Sequence, residues 1–197
     1  MGNPVDIFRE NWDKAKSLKD ANASFCSLAT VSATGQASVR ILVLREVSEN
    51  AFTIFINDTS PKWQDMQDSS QPELLVFWPS LMQQYRIRGD VSEVPIDTMR
   101  AHWGQKPYET KILDHFYAGY QSQSGAIKSR QTMLDGIRRL KARYPTDADV
   151  PFPGNAKGVS IRASSIEVWH GSDTDRLHHR DLYLLGGDVW ERHTLVP

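Results

Sequence analysis

The sequence predicts an α+β protein, mainly β, in which antiparallel strands form a closed or nearly closed β-barrel with helices packed outside. Three observations predict it. Runs of β-branched and aromatic residues recur at short spacing between positions 25 and 94, a single helical excursion follows from about 96 to 144, and strands return in the last forty or so positions. Helices do not alternate one for one with strands, and no Gly-x-Gly-x-x-Gly follows a strand, so a doubly wound sheet with a dinucleotide site has no support.

Residues 6–19 carry Ile7, Phe8, Trp12, Ala15 and Leu18 at mostly helical spacing with charges between them, which predicts an amphipathic N-terminal helix within residues 1–20. Strands are expected at 25–32, 37–47, 51–57 and 73–78, with Ala33-Thr34-Gly35-Gln36 as the first turn. Ser60-Pro61 is a helix-entry signal, so a short helix should begin there. From 82 to 94 polar and apolar residues alternate, with Gln84, Arg86 and Arg88 on one face and Tyr85 and Ile87 on the other, as in a half-buried strand ended by Pro95. Helices are expected at 96–105, 111–119 and 124–144, the last with Ile127, Met133, Leu134, Ile137 and Leu140 and with Pro145 just beyond it. Strands at 159–169, 182–185 and 189–195 complete the chain, with Gly186-Gly187 as a hairpin signal.

A chain of 197 residues supports one core, so a single domain spanning 1–197 is expected. With 23 Lys and Arg against 24 Asp and Glu, the formal net charge of -1 argues against a general nucleic-acid binder, and any anion site must be local. Cys26 is the only cysteine, which excludes an intramolecular disulfide and reads as an inert thiol in an apolar strand. No apolar run is long enough for a bilayer and the first residues lack the pattern of a signal peptide, so no membrane partner and a cytoplasmic location are expected. The basic run Lys128, Arg130, Arg138, Arg139, Lys141 and Arg143 reads as a solvated helix face. His178 and His179 lack a third ligand at suitable spacing, so no metal is expected.

Two segments carry the chemistry. Arg40-Ile41-Leu42-Val43-Leu44-Arg45 sets a guanidinium at either end of an apolar strand, and a charge there needs an anionic partner. Trp169, followed by Arg176-Leu177-His178-His179-Arg180, offers a flat indole beside cationic forks. Arg40 alone would read as a surface residue whose stem covers apolar area, and Trp169 alone as packing. Together they suit a flat phosphorylated molecule, and flavin mononucleotide (FMN) is the expected ligand.

In order and spacing the residues resemble the pyridoxamine 5'-phosphate oxidase family nearly end to end. The resemblance rests on Leu28-Ala29-Thr30-Val31, Arg40 to Arg45, Asn57 with Ser60 and Lys62, Gln84-Tyr85-Arg86-Ile87-Arg88-Gly89, Gln123-Ser124, Val150-Pro151-Phe152-Pro153, Ile166-Glu167-Val168-Trp169, Arg176 to Arg180, and Leu195-Val196-Pro197. It implies an FMN-binding split β-barrel that works as a homodimer, with residues 145–197 as the C-terminal dimerisation segment. It further implies that Arg40, Ile41, Leu42, Val43, Phe55, Ile56, Lys62, Gln84, Gln123, Ser124, Trp169 and Arg180 contact FMN. Arg40 and Lys62 would hold the flavin phosphate, with Ser124 at a helix N-terminus that favours an anion. The substrate side maps onto Arg45, His102, Lys106, Thr110, Arg176, Leu177 and His178, with Arg176 and His178 orienting the reacting end.

The activity implied is oxidation of pyridoxamine or pyridoxine 5'-phosphate, a small phosphorylated substrate, to pyridoxal 5'-phosphate, with hydride passing to FMN and dioxygen giving hydrogen peroxide. Departures from the family pattern bear on the substrate. Arg45 stands for Lys, His102 for Tyr, Lys106 for Arg and Thr110 for Ser, and each substitute can still bond a phosphate. Pro61 replaces an Arg, Ala156-Lys157 replaces Trp-Gly, Thr194 replaces an Arg, and about four extra residues, roughly one helical turn, fall between Thr110 and Gln123. A flavoprotein of the same fold acting on a different small molecule, or a non-catalytic flavin-binding protein, is the alternative.

Overall fold

The structure is a computed structural model that describes residues 2–68 and 71–197. Strands β1 (Phe25–Val31), β2 (Ala37–Ser48), β3 (Ala51–Asn57), β4 (Glu73–Trp78), β5 (Gln83–Glu93) and β6 (Ala156–His170) are hydrogen-bonded in the order β3-β2-β1-β4-β5-β6. Every neighbour is antiparallel, and β6 returns to pair with β3, which closes a six-stranded barrel. The far half of β6 instead carries β7 (His179–Gly186), which carries β8 (Val189–Leu195). The architecture is therefore the split β-barrel, α+β in class.

The 15 residues of β6 serve two partners in succession. Positions 156–162 pair with β3 and positions 165–170 with β7. Between them the register against β5 slips, from Ala163 opposite Gly89 to Ser165 opposite Arg88, so Ser164 forms a bulge. The strand bends there, and the barrel wall splits.

Alternation fills the barrel. Leu28, Leu74, Ile87, Ile161 and Ile166 are fully buried, and the strand positions between them face out. Helix α1 (Pro4–Ser17) starts with Pro4 in its first turn and Asn3 as a cap whose Oδ1 accepts from the Val5 amide at 3.0 Å. It drives Phe8 into the core against Phe52, Trp78 and Tyr85, with ring centroids 4.9 to 5.0 Å apart. Helix α2 (Pro61–Gln67) follows β3.

Helices α3 (Ile96–Trp103), α4 (Tyr108–Gly119) and α5 (Arg130–Arg143) build a second, smaller core from Trp103, Ile112, Phe116 and Leu140, joined to the barrel through Ala156 of β6. Several expected boundaries move, among them the start of β7, expected at 182 and found at His179. The helix expected from 124 begins at Arg130, because the Ser129 side chain accepts from the Thr132 amide at 3.1 Å and caps the helix there. Ile127 is consequently outside the helix and exposed. The helix expected from 111 begins at Tyr108, directly after Pro107, and the strand expected from 159 begins at Ala156 to reach β3.

Candidate functional site

The loop between β3 and α2 is locked by its own short polar side chains. Asn57 Oδ1 accepts from the Thr59 amide at 3.1 Å and the Thr59 hydroxyl at 2.7 Å, while the Ser60 hydroxyl donates to the Asn57 carbonyl at 2.6 Å. This turn aims the first residues of α2 inward, so that Lys62 is only 7% exposed. Its ammonium donates to the uncharged Oε1 of Gln123 at 3.0 Å, and the Gln123 amide donates in turn to Thr59 Oγ1 at 3.1 Å.

Arg40 of β2 stands opposite buried Leu28 and turns to the same side. Its guanidinium donates to the Leu28 carbonyl at 3.2 Å and to Thr30 Oγ1 at 2.7 Å, and the Thr30 hydroxyl donates to Asp65 Oδ2 at 2.6 Å. Burial pushes Lys62 from the ordinary lysine value of 10.5 down to about 8, and the neighbouring Arg40 charge adds to the effect. Burial also lowers Arg40, against the pull of the Asp65 carboxylate. Two adjacent desolvated cations are mutually unfavourable until an anion joins them. A phosphate monoester, which accepts from both, fits this donor set.

A cleft of about 280 Å³ is lined by Lys62, Leu42, Phe55, Thr110, Tyr117 and Gln123 together with Arg45 and Lys106. A second cavity of about 230 Å³, lined by Met99, His102, Trp103 and Gln105, shares Arg45, Phe55 and Lys106 with the first, so the two adjoin. Phe55 is the wall between them. The Arg45 guanidinium lies over its ring at 5.4 Å, and His102 meets it edge-on at 5.1 Å.

Of the residues expected to contact ligand, Arg40, Leu42, Arg45, Phe55, Ile56, Lys62, His102, Lys106, Thr110 and Gln123 thus gather on one cleft and its cationic end. Ile41 and Val43 do not: alternation along β2 turns them to the outer face, where Ile41 is 72% exposed. Gln84, Trp169 and Arg180 stand side by side on the outer face of β5, β6 and β7. Arg180 is spent on Glu167 Oε1, at 3.1 and 2.8 Å, and on the Val196 carbonyl at 3.1 Å. His178 packs on Trp169 at 4.9 Å, and its Nδ1 accepts from the Ser172 amide at 3.0 Å, which leaves the Nε2 edge free. Arg176 sits in the left-handed region at φ 63, and Leu177 is 71% exposed. None of this second group lines the cleft of its own chain.

Ser124 corrects an expectation. It is not at a helix N-terminus, since α5 begins six positions later; it is an exposed loop residue at φ 69 beside Gln123. Lys106 is not a free cation either, because its ammonium is bonded to Asp114 Oδ2. Sequence reading gave no role to Thr30 and Asn57, which it named only within motifs, and missed Asp65, Asp114 and Tyr117. The last two were detectable, since Thr110, Asp114 and Tyr117 make a polar stripe at i, i+4, i+7 on a helix whose other side holds Ile112 and Phe116.

Cys26 is buried and burial pushes its thiol up to about 12, far from the reactive range. Among the described residues no group of three or more His, Cys, Asp or Glu is placed to hold a metal ion, and no helix is long and apolar enough to cross a membrane.

A family model described as pyridoxamine 5'-phosphate oxidase matches residues 13–143. A pyridoxine/pyridoxamine 5'-phosphate oxidase of Anaeromyxobacter dehalogenans is 30% identical over 195 residues, covering 99% of this chain and 96% of the relative. One from Psychrobacter arcticus is 35% identical over 157 residues, covering 80% of this chain and 71% of the relative. Among solved structures, PhzG from Burkholderia lata, in complex with tetrahydrophenazine-1-carboxylic acid, superposes with a TM-score of 0.88 at 20% identity, over 100% of this chain and 94% of that one. A pyridoxamine 5'-phosphate oxidase-related, FMN binding protein from Nostoc punctiforme superposes with a TM-score of 0.76 at 17% identity, over 100% and 99% of the two chains. At such identities the two structures speak for the fold, while the family model and the sequence relatives speak for descent. The chain belongs to the pyridoxamine 5'-phosphate oxidase family, within the flavin-binding oxidoreductase superfamily of split barrels.

Proposed function

We propose that this chain is an FMN-dependent oxidase of a small anionic ring compound. The observation that carries the reading is the Arg40–Lys62 pair, two desolvated cations side by side, with Lys62 lining a cleft. The flavin phosphate would take Arg40, Lys62 and the side chain of Gln123, and the ring system would lie along Leu42 and Phe55. FMN, when bound, supplies the two-electron acceptor that takes hydride from the substrate and returns the electrons to dioxygen as hydrogen peroxide. The chain's own contribution is position: Arg45, His102 and Thr110 hold the substrate's anionic group, and Phe55 and Trp103 exclude water from the ring.

The reading extends to a homodimer. Phe25, Ile41, Leu75 and Phe77 form an apolar hollow on the outside of the barrel with Val39 exposed beside it, and Gln84, Trp169 and Arg180 continue the row from Phe77. A second copy seated on that face would carry its own Trp169, Arg176 and His178 over the cleft, with the free Nε2 edge of His178 available to orient the reacting end of the substrate.

Pyridoxamine or pyridoxine 5'-phosphate is the substrate favoured by the curated relatives and by the cluster of Arg45, His102, Lys106 and Thr110. A different small ring compound is favoured by one observation, the bond between Lys106 and Asp114. The test is an absorption spectrum of purified protein, then pyridoxamine 5'-phosphate added without oxygen. A yellow protein that bleaches and yields pyridoxal 5'-phosphate in air supports the first substrate. A yellow protein that no donor bleaches reduces the reading to flavin binding, and protein that binds no flavin overturns it.

A further inference from the structure

Thr110, Asp114 and Tyr117 recur at i, i+4 and i+7 along α4, the spacing of one helix face. All three line the same cleft as Lys106 and Arg45. Asp114 is 5% exposed and fully engaged there. One carboxylate oxygen accepts from Lys106 and the other from Asn57 Nδ2 at 3.3 Å, while its backbone carbonyl accepts from Asn155 Nδ2 at 2.8 Å.

A carboxylate held this way cancels the charge of Lys106. In the FMN-oxidase reading Arg40 and Lys62 are taken up by the flavin phosphate, so Arg45, His102, Thr110, Lys106 and Asp114 are left with one uncompensated permanent cation among the described residues. A phosphate dianion placed there would meet Arg45 on one side and the Asp114 charge close behind Lys106 on the other. Drawing Lys106 away to meet it would strand a buried carboxylate, which is costly.

Resting on the FMN-oxidase reading, we propose that Asp114 is a specificity-determining residue: by neutralising Lys106 it makes the cleft select a flat ring bearing one negative charge over a ring bearing a phosphate dianion.

The test titrates flavin-loaded protein with pyridoxal 5'-phosphate and, separately, with pyridine-4-carboxylate, following the flavin absorbance. Wild-type protein is expected to bind the carboxylate at least as tightly as the phosphate. In Asp114→Asn, which keeps the shape and the bond to Asn57, the phosphate should tighten about tenfold, the effect of uncovering one cation at a partly buried site, and the order should reverse. Adding Lys106→Gln to that variant should cancel the gain, since the gain runs through Lys106. An unchanged order in Asp114→Asn, or a gain that survives Lys106→Gln, overturns the proposal. So does a wild type that prefers the phosphate, a comparison that needs no variant to fold. Protein that takes up no flavin at all fails the oxidase reading instead, so the two failures are told apart by the spectrum before any titration.

Discussion

The ammonium of Lys62 and the side-chain oxygen of Gln123 meet at 3.0 Å across 61 positions of sequence, and this bond ties the first turn of α2 to the loop before α5 at the cationic end of the cleft. Because burial and Arg40 bring Lys62 down to about 8, the ammonium is charged below that pH and neutral above it. A bound phosphate would restore the charged form. FMN affinity should therefore be flat below pH 8 and weaken above it by up to about tenfold per unit, since binding must then take up a proton. The apoprotein has the opposite slope: with the folded value below the ordinary 10.5, its stability rises as pH climbs from about 8 towards 10.5. Lys62→Met should weaken FMN by about 1.5–3 kcal/mol, the worth of a charge-assisted bond, and should flatten the affinity profile. Fluorescence titration of apoprotein between pH 6.5 and 9.5 measures both, and a profile that keeps its slope in the variant removes Lys62 from the phosphate.

Thr30 links the Arg40 guanidinium to the Asp65 carboxylate, accepting from one at 2.7 Å and donating to the other at 2.6 Å. At 1% exposure it has no water to replace either partner. Thr30→Val keeps the shape and removes both bonds, and should cost about 1–3 kcal/mol of stability. It should also weaken FMN about fivefold or more by loosening Arg40. Thermal melts read the first effect and flavin titration the second. Unchanged flavin affinity with a lowered melting temperature would make Thr30 a fold residue alone.

What could be read from sequence follows how local each determinant is. β3 and β4 were expected at the positions they occupy, because β-branched runs bounded by turn residues specify themselves. The start of α5 was not, because the cap at Ser129 is decided by one side-chain bond to Thr132 while Ile127 continued the apolar spacing. The barrel was expected to close, but the closing pair is less legible: β3 pairs with β6 about a hundred positions later, and nothing within either strand names its partner. The cleft shows the same division. Arg40, Lys62 and Gln123 were found by motif. Asp114 was not, although its spacing from Thr110 was visible, since whether a helical carboxylate faces water or a half-buried lysine depends on packing against Asn57 and Asn155.

Ile41 is 72% exposed between Ser27 and the edge of the outer face, in a hollow formed with Phe25, Leu75 and Phe77. An isolated apolar side chain there would mean little, but Val39 and Phe25 are exposed beside it on the same face. Ile41→Lys should leave the barrel folded, because its side chain points away from the core, yet it would place a charge in the centre of the proposed subunit contact. Light scattering should show a dimer for wild type and a monomer for the variant, with flavin affinity reduced in the monomer. A wild type that is monomeric with flavin bound would end the dimer proposal, and Trp169 and His178 would lose their assigned place over the cleft.

Gly89 sits where β6 abandons β3 for β7. A Cβ on Gly89 would lie 1.8 Å from the Arg162 carbonyl oxygen and 2.8 Å from the Ala163 Cα, both backbone, so no side-chain rotation relieves the clash. The strands would have to separate at the Ser164 bulge, and that bulge sets the direction in which the far half of β6 presents Trp169. Gly89→Ala should therefore cost about 3 kcal/mol, at the upper end for overpacking, and lower the melting temperature by roughly 10 °C for a chain of this size. Gly104, at the end of α3 with φ -57 and nothing within 4 Å of a built Cβ, is the control. Gly104→Ala should change stability by less than about 1 kcal/mol, in the stabilising direction, because it restricts only the unfolded chain. Calorimetry on the two variants separates a steric need for glycine at the split of the barrel from a general cost of alanine, and equal melting temperatures would show that the β5–β6 junction can relax.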